Sequence, residues 1–166
     1  MAVSNYEHDD WIKKRIRRQF RGREVTALDV GPGAGRYADA FGSLFTMDAV
    51  EISQAYVDKF GLVDKYRQLF VMDACAFEFD YYDLIIAGDV LEHMSVESAQ
   101  RFIRYCVPRC EEMLVCVPWL YHQGPEPDNP WQAHQQPDLT DEMMARRYPE
   151  LKLVRGGDII GVYMKA

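Results

Sequence analysis

The sequence predicts an α/β fold in which a mostly parallel β-sheet carries helices on both faces. Short apolar segments alternate with helix-like segments along residues 25–118, an order that favours parallel strands joined by crossover helices. The chain then ends in two apolar runs around Gly156 and Gly157, a pattern typical of a β-hairpin. We therefore expect five strand–helix units closed by an antiparallel pair of strands.

The individual elements follow from hydrophobic period and from capping signals. An amphipathic helix is expected at residues 9–20, where Ile12, Ile16 and Phe20 recur every four positions. Ser53 is a plausible N-cap, and Gly61 is a helix stop. The other expected helices are residues 34–43, 53–60, 95–106 and 140–148, and the expected strands are 25–30, 45–50, 67–72, 82–88 and 112–118.

Composition indicates one ordinary globular domain over residues 1–166, with 48% hydrophobic and 27% charged residues. No apolar run approaches the roughly 20 residues that a membrane span requires, and the N-terminus lacks the apolar core of a signal peptide. We therefore expect a cytoplasmic protein with no membrane partner. The net charge of −7 makes nucleic-acid binding unlikely, although a basic helix within residues 1–23 leaves room for a local anionic contact.

The four cysteines form no CxxC pair. Cys106 and Cys110 could share a helix face, but Pro108 between them disfavours a helix interior. We expect the cysteines to be reduced and buried.

Acidic residues and a glycine cluster follow successive predicted strands. Asp29 and "GPGAG" end the first strand, and Glu51, Asp73 and Asp89 end the next three. The carboxyl ends of parallel strands form one edge of a sheet, and ligands bind there near the point where strand order reverses. The sequence therefore predicts a binding site with an acidic rim.

The glycine cluster alone leaves several ligands open. A P-loop requires GxxxxGK[ST], and its lysine and hydroxyl are missing here. A dinucleotide fingerprint places its third glycine where this chain has Arg36, which disfavours NAD without excluding it. A nucleoside that carries a positive charge suits an acidic rim better, and S-adenosylmethionine meets each of these conditions.

Several segments carry a resemblance to a known family. "ALDVGPGAGRYA", "VEIS", "VMDA" and "YDLIIAGDVLEHM", which contains Leu-Glu-His, resemble motifs of class I S-adenosylmethionine-dependent methyltransferases that act on small molecules. The terminal hairpin is similar to the reversed seventh strand of that fold, and the resemblance covers about residues 24–166. It implies a Rossmann-like, seven-stranded sheet, S-adenosylmethionine as cofactor and S-adenosylhomocysteine as product.

The resemblance also implies which residues contact the cofactor. Glu51 would hold the ribose, and Asp89 would lie near the methionine tail and the reacting methyl group. Asp48 is also acidic, but it falls inside the second strand, so Glu51 is preferred. The implied cofactor-binding residues are Asp29, Gly31, Gly33, Glu51, Ile52, Asp73, Ala74 and Asp89.

A long proline-rich loop at residues 119–138 is predicted to be a substrate lid, because loops of this length tend to be functional or disordered and its aromatics argue against disorder. Trp119, Tyr121 and Trp131 are the expected substrate contacts, although they could merely anchor the loop.

The candidate general bases are His93, His122 and His134. No metal site is predicted, since no ligand spacing supports zinc at His122 and His134.

The expected function is methyl transfer from S-adenosylmethionine to an unidentified small molecule by in-line displacement. One alternative is a cofactor-binding module that acts through a partner. Another is an RNA or protein methyltransferase that uses the basic N-terminal helix. The sequence leaves the acceptor, the atom that is methylated and the oligomeric state open.

Overall fold

Seven strands form one sheet in the computed structural model, which describes residues 7–127 and 129–166. The strands are β1 (Thr26–Val30), β2 (Thr46–Glu51), β3 (Gln68–Val71), β4 (Tyr82–Gly88), β5 (Cys110–Pro118), β6 (Leu151–Gly156) and β7 (Ile160–Lys165). Their order across the sheet is β3-β2-β1-β4-β5-β7-β6. The first five are parallel, and β7 pairs antiparallel with β5 and β6. The predicted mostly parallel sheet with an antiparallel C-terminal hairpin is confirmed.

Five α-helices accompany the sheet within the described ranges, at the places the sequence predicts but with shorter ends. They are α1 (Asp9–Gln19), α2 (Arg36–Phe41), α3 (Gln54–Phe60), α4 (Val96–Cys106) and α5 (Asp141–Arg147). Helix α2 begins two residues later than expected because Gly35 adopts a left-handed conformation. The Ser53 hydroxyl accepts a hydrogen bond from the backbone N–H of Tyr56, so the predicted N-cap of α3 is confirmed.

The core lies in two apolar layers, one on each face of the sheet. Successive residues of β4 enter opposite layers: Leu84 and Ile86 pack on one side, Ile85 and Ala87 on the other. Helices α1 and α2 cover the first side, and α4 and α5 cover the second. Burial on both faces explains why β4 reads as a continuous apolar run.

The two acids of β2 have different surroundings. Asp48 lies within the strand and is 1% exposed. Its carboxylate accepts hydrogen bonds from Arg67 Nε at 2.9 Å and from the Tyr82 hydroxyl at 2.8 Å. Glu51 is the last residue of β2, at the carboxyl edge of the sheet. Asp48 therefore ties β2 to its surroundings, whereas Glu51 is placed to meet a ligand.

All four cysteines are free, but the prediction that they are buried is wrong for Cys75. Cys106 ends α4 and Cys110 begins β5, and both are buried, as is Cys116 within β5. Cys75 is exposed because it lies in a short turn after β3 at the carboxyl edge of the sheet.

No helix in the described part of the chain combines the length and apolar character needed to cross a membrane. The predictions made for residues 1–6 of the N-terminal segment, and for Asp128 of the lid, fall outside the described residues.

Helix α1 is part of the core, and truncating its buried face should show this. Ile16 is fully buried, so Ile16→Ala is expected to lower the free energy of unfolding by about 2–5 kcal/mol through lost contacts and a cavity. Arg18→Ala, on the exposed side of α1, is the control and should change stability by less than about 0.5 kcal/mol. Urea denaturation measures both, and equal effects would show that α1 does not contribute to the core.

Candidate active site

A cavity of about 1090 Å³ opens at the carboxyl ends of the parallel strands. Val30, Glu51 and Gly88, at the ends of β1, β2 and β4, lie in its wall. Strand order reverses between β1 and β4, so the cavity occupies the switch point where α/β sheets bind ligands. Its wall contains all but two of the predicted site residues, namely Gly31, Gly33, Glu51, Ile52, Asp73, Ala74, Asp89, His93, Trp119, Tyr121, Trp131 and His134.

The glycine loop and Glu51 form one side of this cavity. Gly33 has φ +53°, a left-handed conformation that favours glycine, and a side chain added there would meet no atom within 4 Å. Glu51 is 4% exposed, and its Oε1 accepts the Ser53 backbone N–H at 2.9 Å. Burial raises the pKa of Glu51, while the backbone N–H groups of Ser53, Gly33 and Ile52 act in the opposite direction.

Asp29 lies beneath the glycine loop and is not among the residues described in the cavity wall. It is 1% exposed, and its Oδ2 accepts a hydrogen bond from the Tyr66 hydroxyl at 2.6 Å. Burial raises the pKa of Asp29 to about 7, although the Tyr66 hydrogen bond lowers it in part. The resemblance implies that Asp29 either orients the loop or reaches the cofactor amine, and this buried position suits the first role better.

Two non-glycine residues at the cavity have a left-handed backbone conformation. Asp89, directly after β4, has φ 57°, and Leu120, two residues after β5, has φ 49°. Both line the cavity. Such conformations cost about 1–3 kcal/mol each and tend to cluster at functional sites. The strain therefore supports the prediction that Asp89 takes part in binding.

Helix α1 reaches the site through an ion pair. Arg36, which lines the cavity, pairs through Nη2 with Asp9 in the first turn of α1. Its Nη1 lies 3.9 Å from Oδ2 of Asp89. The guanidinium thus links α1 to the strained residue after β4.

Loop 119–138 is attached to the end of β4 through Gln136, which is 1% exposed. The Gln136 side-chain N–H groups donate to the carbonyls of Leu91 at 2.9 Å and Met94 at 3.1 Å, and its Oε1 accepts from the Tyr148 hydroxyl at 2.7 Å. The backbone N–H of Gln136 also donates to the carbonyl of Glu92. Sequence reasoning missed Gln136, because nothing in the sequence distinguishes it from the other glutamines of the loop.

The same loop makes a second contact across the cavity, with α3. The Tyr56 hydroxyl donates to Oε2 of Glu126 at 3.2 Å. Asn129 is 1% exposed, and its Oδ1 accepts the backbone N–H of Trp131 at 3.1 Å, which begins a short turn at residues 130–132. The loop therefore contacts the turn after β4 on one side of the cavity and α3 on the other, and it forms the outer wall of the cavity between them.

The turn after β4 and the loop bring two histidines and a glutamate together. The rings of His93 and His134 lie 4.7 Å apart, centroid to centroid, at an interplanar angle of 76°. One potential ligand atom from each of Glu92, His93 and His134 lies within 4.8 Å of the others, so this group could hold a metal ion. His122, by contrast, is exposed and lies outside the residues described in the cavity wall.

Burial dominates the ionisation of this group. Burial, with a smaller contribution from the neighbouring His134, lowers the pKa of His93 to about 4. Burial likewise lowers the pKa of His134. The pKa of Glu92 is raised by burial and, to a lesser extent, by the charge of Asp89. Both imidazoles are therefore neutral at pH 7 and can accept a proton or bind a cation.

Solved structures that share this fold include methyltransferases. The chain is 11% identical to an S-adenosylmethionine-dependent methyltransferase from Clostridium acetobutylicum, with a TM-score of 0.71, and the match covers 98% of this chain and 92% of that one. Magnesium protoporphyrin IX methyltransferase (ChlM) from Synechocystis PCC 6803 with bound S-adenosylmethionine matches at 13% identity and a TM-score of 0.67, covering 95% and 77%. The pyocyanin biosynthetic protein PhzM matches at 12% identity and a TM-score of 0.64, and this chain spans 56% of its length.

The sequence itself matches the family described as "Methyltransferase domain" over residues 28–108. Residues 28–108 carry a methyltransferase domain. The matched residues run from β1 through α4 and include the glycine loop, Glu51 and Asp89. Two structures of ChlM that match this chain hold S-adenosylmethionine and S-adenosylhomocysteine. No curated protein sequence matches the chain.

The buried carboxyl of Asp29 should make the stability of the methyltransferase depend on pH. Its folded pKa of about 7 exceeds the ordinary value of 3.8, so the folded state favours the protonated form and stability falls as pH rises from about 4 to about 7. Between about pH 5.5 and pH 8 this one group should lower the free energy of unfolding by about 2 kcal/mol.

Asp29→Asn removes the titrating group, and urea denaturation at the two pH values measures the difference. The variant is expected to lose about 2 kcal/mol less than the wild type over this range. Equal losses in both proteins would show that Asp29 is ionised without penalty in the folded state.

Proposed function

We propose that this methyltransferase transfers a methyl group from S-adenosylmethionine to a small-molecule acceptor within the cavity beneath loop 119–138. One observation carries the proposal: the predicted cofactor residues and the aromatic residues of the loop line a single continuous cavity of about 1090 Å³. A cavity at the upper end of the usual range for ligand sites has room for a donor and an acceptor together. We also propose that residues 1–166 act as one domain.

The donor half of the cavity consists of the loop Gly31–Gly33 and the ends of β2 and β3. Glu51 would accept the ribose hydroxyls, and Asp73 with Ala74 would border the adenine. Bare backbone at Gly33 would allow the methionine portion of the cofactor to lie close to the loop. When bound, S-adenosylmethionine supplies a methyl group already activated by a sulfonium.

The acceptor half consists of the aromatics of loop 119–138. Tyr121 and Trp131 line the cavity yet are 54% and 57% exposed, and Leu120 between β5 and Tyr121 is 72% exposed. Large apolar side chains exposed together mark a binding surface. These side chains favour an acceptor with an apolar, flat body.

The protein contributes position and exclusion of water to an in-line displacement. A base is required only where the acceptor must lose a proton. Among the three histidines the sequence nominates, His93 and His134 line the cavity, and His122 does not. We propose His93 and His134 as the groups that accept a proton from the acceptor.

Two of the basic residues near the N-terminus form hydrogen bonds with other parts of the chain. Arg23 forms two hydrogen bonds with the carboxylate of Glu111, at 2.9 and 2.8 Å. Arg17 donates to the carbonyl of Ala40 at 3.2 Å. These contacts support a stabilising role for the two arginines and weaken the case for RNA or protein as the acceptor.

An acceptor screen tests the proposal. Purified protein with S-adenosylmethionine and a panel of small aromatic and heteroaromatic hydroxyl, amine and thiol compounds should release S-adenosylhomocysteine with at least one of them. Binding of S-adenosylmethionine without turnover across the panel would favour the cofactor-binding module instead. Folded protein that does not bind S-adenosylmethionine in calorimetry would contradict both.

Gly33 and Gly61 form a matched pair for testing the donor site. Both have left-handed φ, +53° and +59°, and an added Cβ meets no atom within 4 Å at either, but only Gly33 lines the cavity. Gly33→Ala and Gly61→Ala should therefore each cost about 1–2 kcal/mol of stability. Only Gly33→Ala should also weaken S-adenosylmethionine binding in calorimetry, and an equal effect on binding in both would argue against a cofactor at the loop.

Glu51→Gln should weaken S-adenosylmethionine binding by about 10- to 100-fold, since hydrogen bonds to a charged group contribute about 1.5–3 kcal/mol each. Asp58→Asn is the control, because Asp58 is an exposed acid on the nearby helix α3 and is not described in the cavity wall. Calorimetric titration measures both. Unchanged affinity in Glu51→Gln would remove Glu51 from the ribose site.

A further inference from the structure

We propose that Glu92, His93 and His134 form a binding site for a divalent transition-metal ion in the acceptor half of the cavity. Each of the three side chains offers a ligand atom, and these atoms lie within 4.8 Å of one another. All three residues line the cavity. Two imidazoles with one carboxylate are a ligand set that recurs in zinc and iron sites, where open positions are left for water or substrate.

The carboxylate of Glu92 provides an independent indication of a cation site. Glu92 is 1% exposed, and its Oε2 has no hydrogen-bond partner among the described residues. A buried carboxylate oxygen without a partner is unfavourable, and native proteins rarely leave one. A metal ion bound from the cavity side supplies the partner that the folded chain does not.

The two histidines are held with one nitrogen already engaged. His134 Nδ1 lies 2.9 Å from the carbonyl oxygen of Tyr121, and His93 Nδ1 lies 3.4 Å from that of Ala133. A carbonyl can only accept, so these contacts favour the tautomer with the proton on Nδ1, in which Nε2 carries the lone pair. A backbone carbonyl that accepts from the opposite ring nitrogen is a usual way in which proteins orient metal-binding histidines.

The distances also define how the site closes. Two atoms bound to one ion at about 2.1 Å are separated by at most about 4.2 Å, so any pair of ligand atoms near the 4.8 Å limit would move closer together on binding. Glu92 and His93 lie in the turn after β4, while His134 belongs to loop 119–138. Metal binding should therefore draw the loop towards the end of β4.

The ligand set selects the ion. Imidazole donors suit Zn²⁺, Fe²⁺ and Ni²⁺, whereas Mg²⁺ prefers an octahedron of oxygens and keeps several waters. We expect Zn²⁺ to bind more tightly than Mg²⁺. The role of the ion rests on the proposed function: with the ion bound, the two imidazoles would act as ligands instead of bases, and an acceptor hydroxyl in an open position would lose its proton to solvent water at a lower pH, as metal-bound water does.

Calorimetric titration of the chelator-treated protein with Zn²⁺ and, separately, Mg²⁺ tests the site. Wild type should bind one Zn²⁺ per chain and bind Mg²⁺ at least about tenfold more weakly. His134→Ala and Glu92→Gln should each weaken Zn²⁺ binding by about tenfold or more. His122→Ala is the matched control, because His122 belongs to the same loop but not to the cluster, and its Zn²⁺ affinity should equal that of wild type.

Further measurements make the result independent of folding and of methyl transfer. Circular dichroism and thermal melting verify that each variant is folded, and hydrogen exchange should show Zn²⁺ slowing exchange in loop 119–138 of wild type but not of His134→Ala. Zn²⁺ affinity that is unchanged in both cluster variants overturns the site. S-adenosylmethionine binding measured in the metal-free protein distinguishes the two proposals, since it tests the donor site alone.

Discussion

The candidate site depends on how loop 119–138 is attached to the end of β4, and one buried amide makes that attachment. Gln136 donates to the carbonyls of Leu91 and Met94 and accepts from the Tyr148 hydroxyl, so its polar atoms are satisfied where little water can reach. A one-residue shift of the loop would leave these groups unpaired. The amide therefore sets the register of the loop and, with it, the position of His134 two residues earlier.

The main features of the fold could be predicted because they follow from local patterns. Hydrophobic period marks the strands, and the cap at Ser53 depends on residues only a few positions apart. Glu51 could be identified because strand ends of a parallel sheet share one edge. The failed expectation that Cys75 is buried has the opposite cause: composition alone does not show which side of a turn meets solvent.

The assembly of the acceptor half could not be predicted, because it depends on the path of an irregular loop. In the sequence His122 and His134 are equally plausible members of a site. The backbone N–H of His134 donates to the carbonyl of Gln123, and the His134 ring contacts the ring and the carbonyl oxygen of Tyr121. Together these contacts place the imidazole of His134 beside His93. These are long-range choices among polar partners, and no periodic pattern records them. The buried state of Glu92 likewise arises only when the loop covers the turn.

The left-handed backbone at Asp89 has a consequence for how this protein can be altered. Glycine at that position would relieve the backbone strain, yet it would remove a carboxylate that lines the cavity and lies 3.9 Å from Arg36 Nη1. Stability and function thus make opposite demands on one residue. Laboratory evolution that selects only for heat resistance should tend to discard Asp89, whereas selection for turnover should retain it and gain stability elsewhere in the sheet.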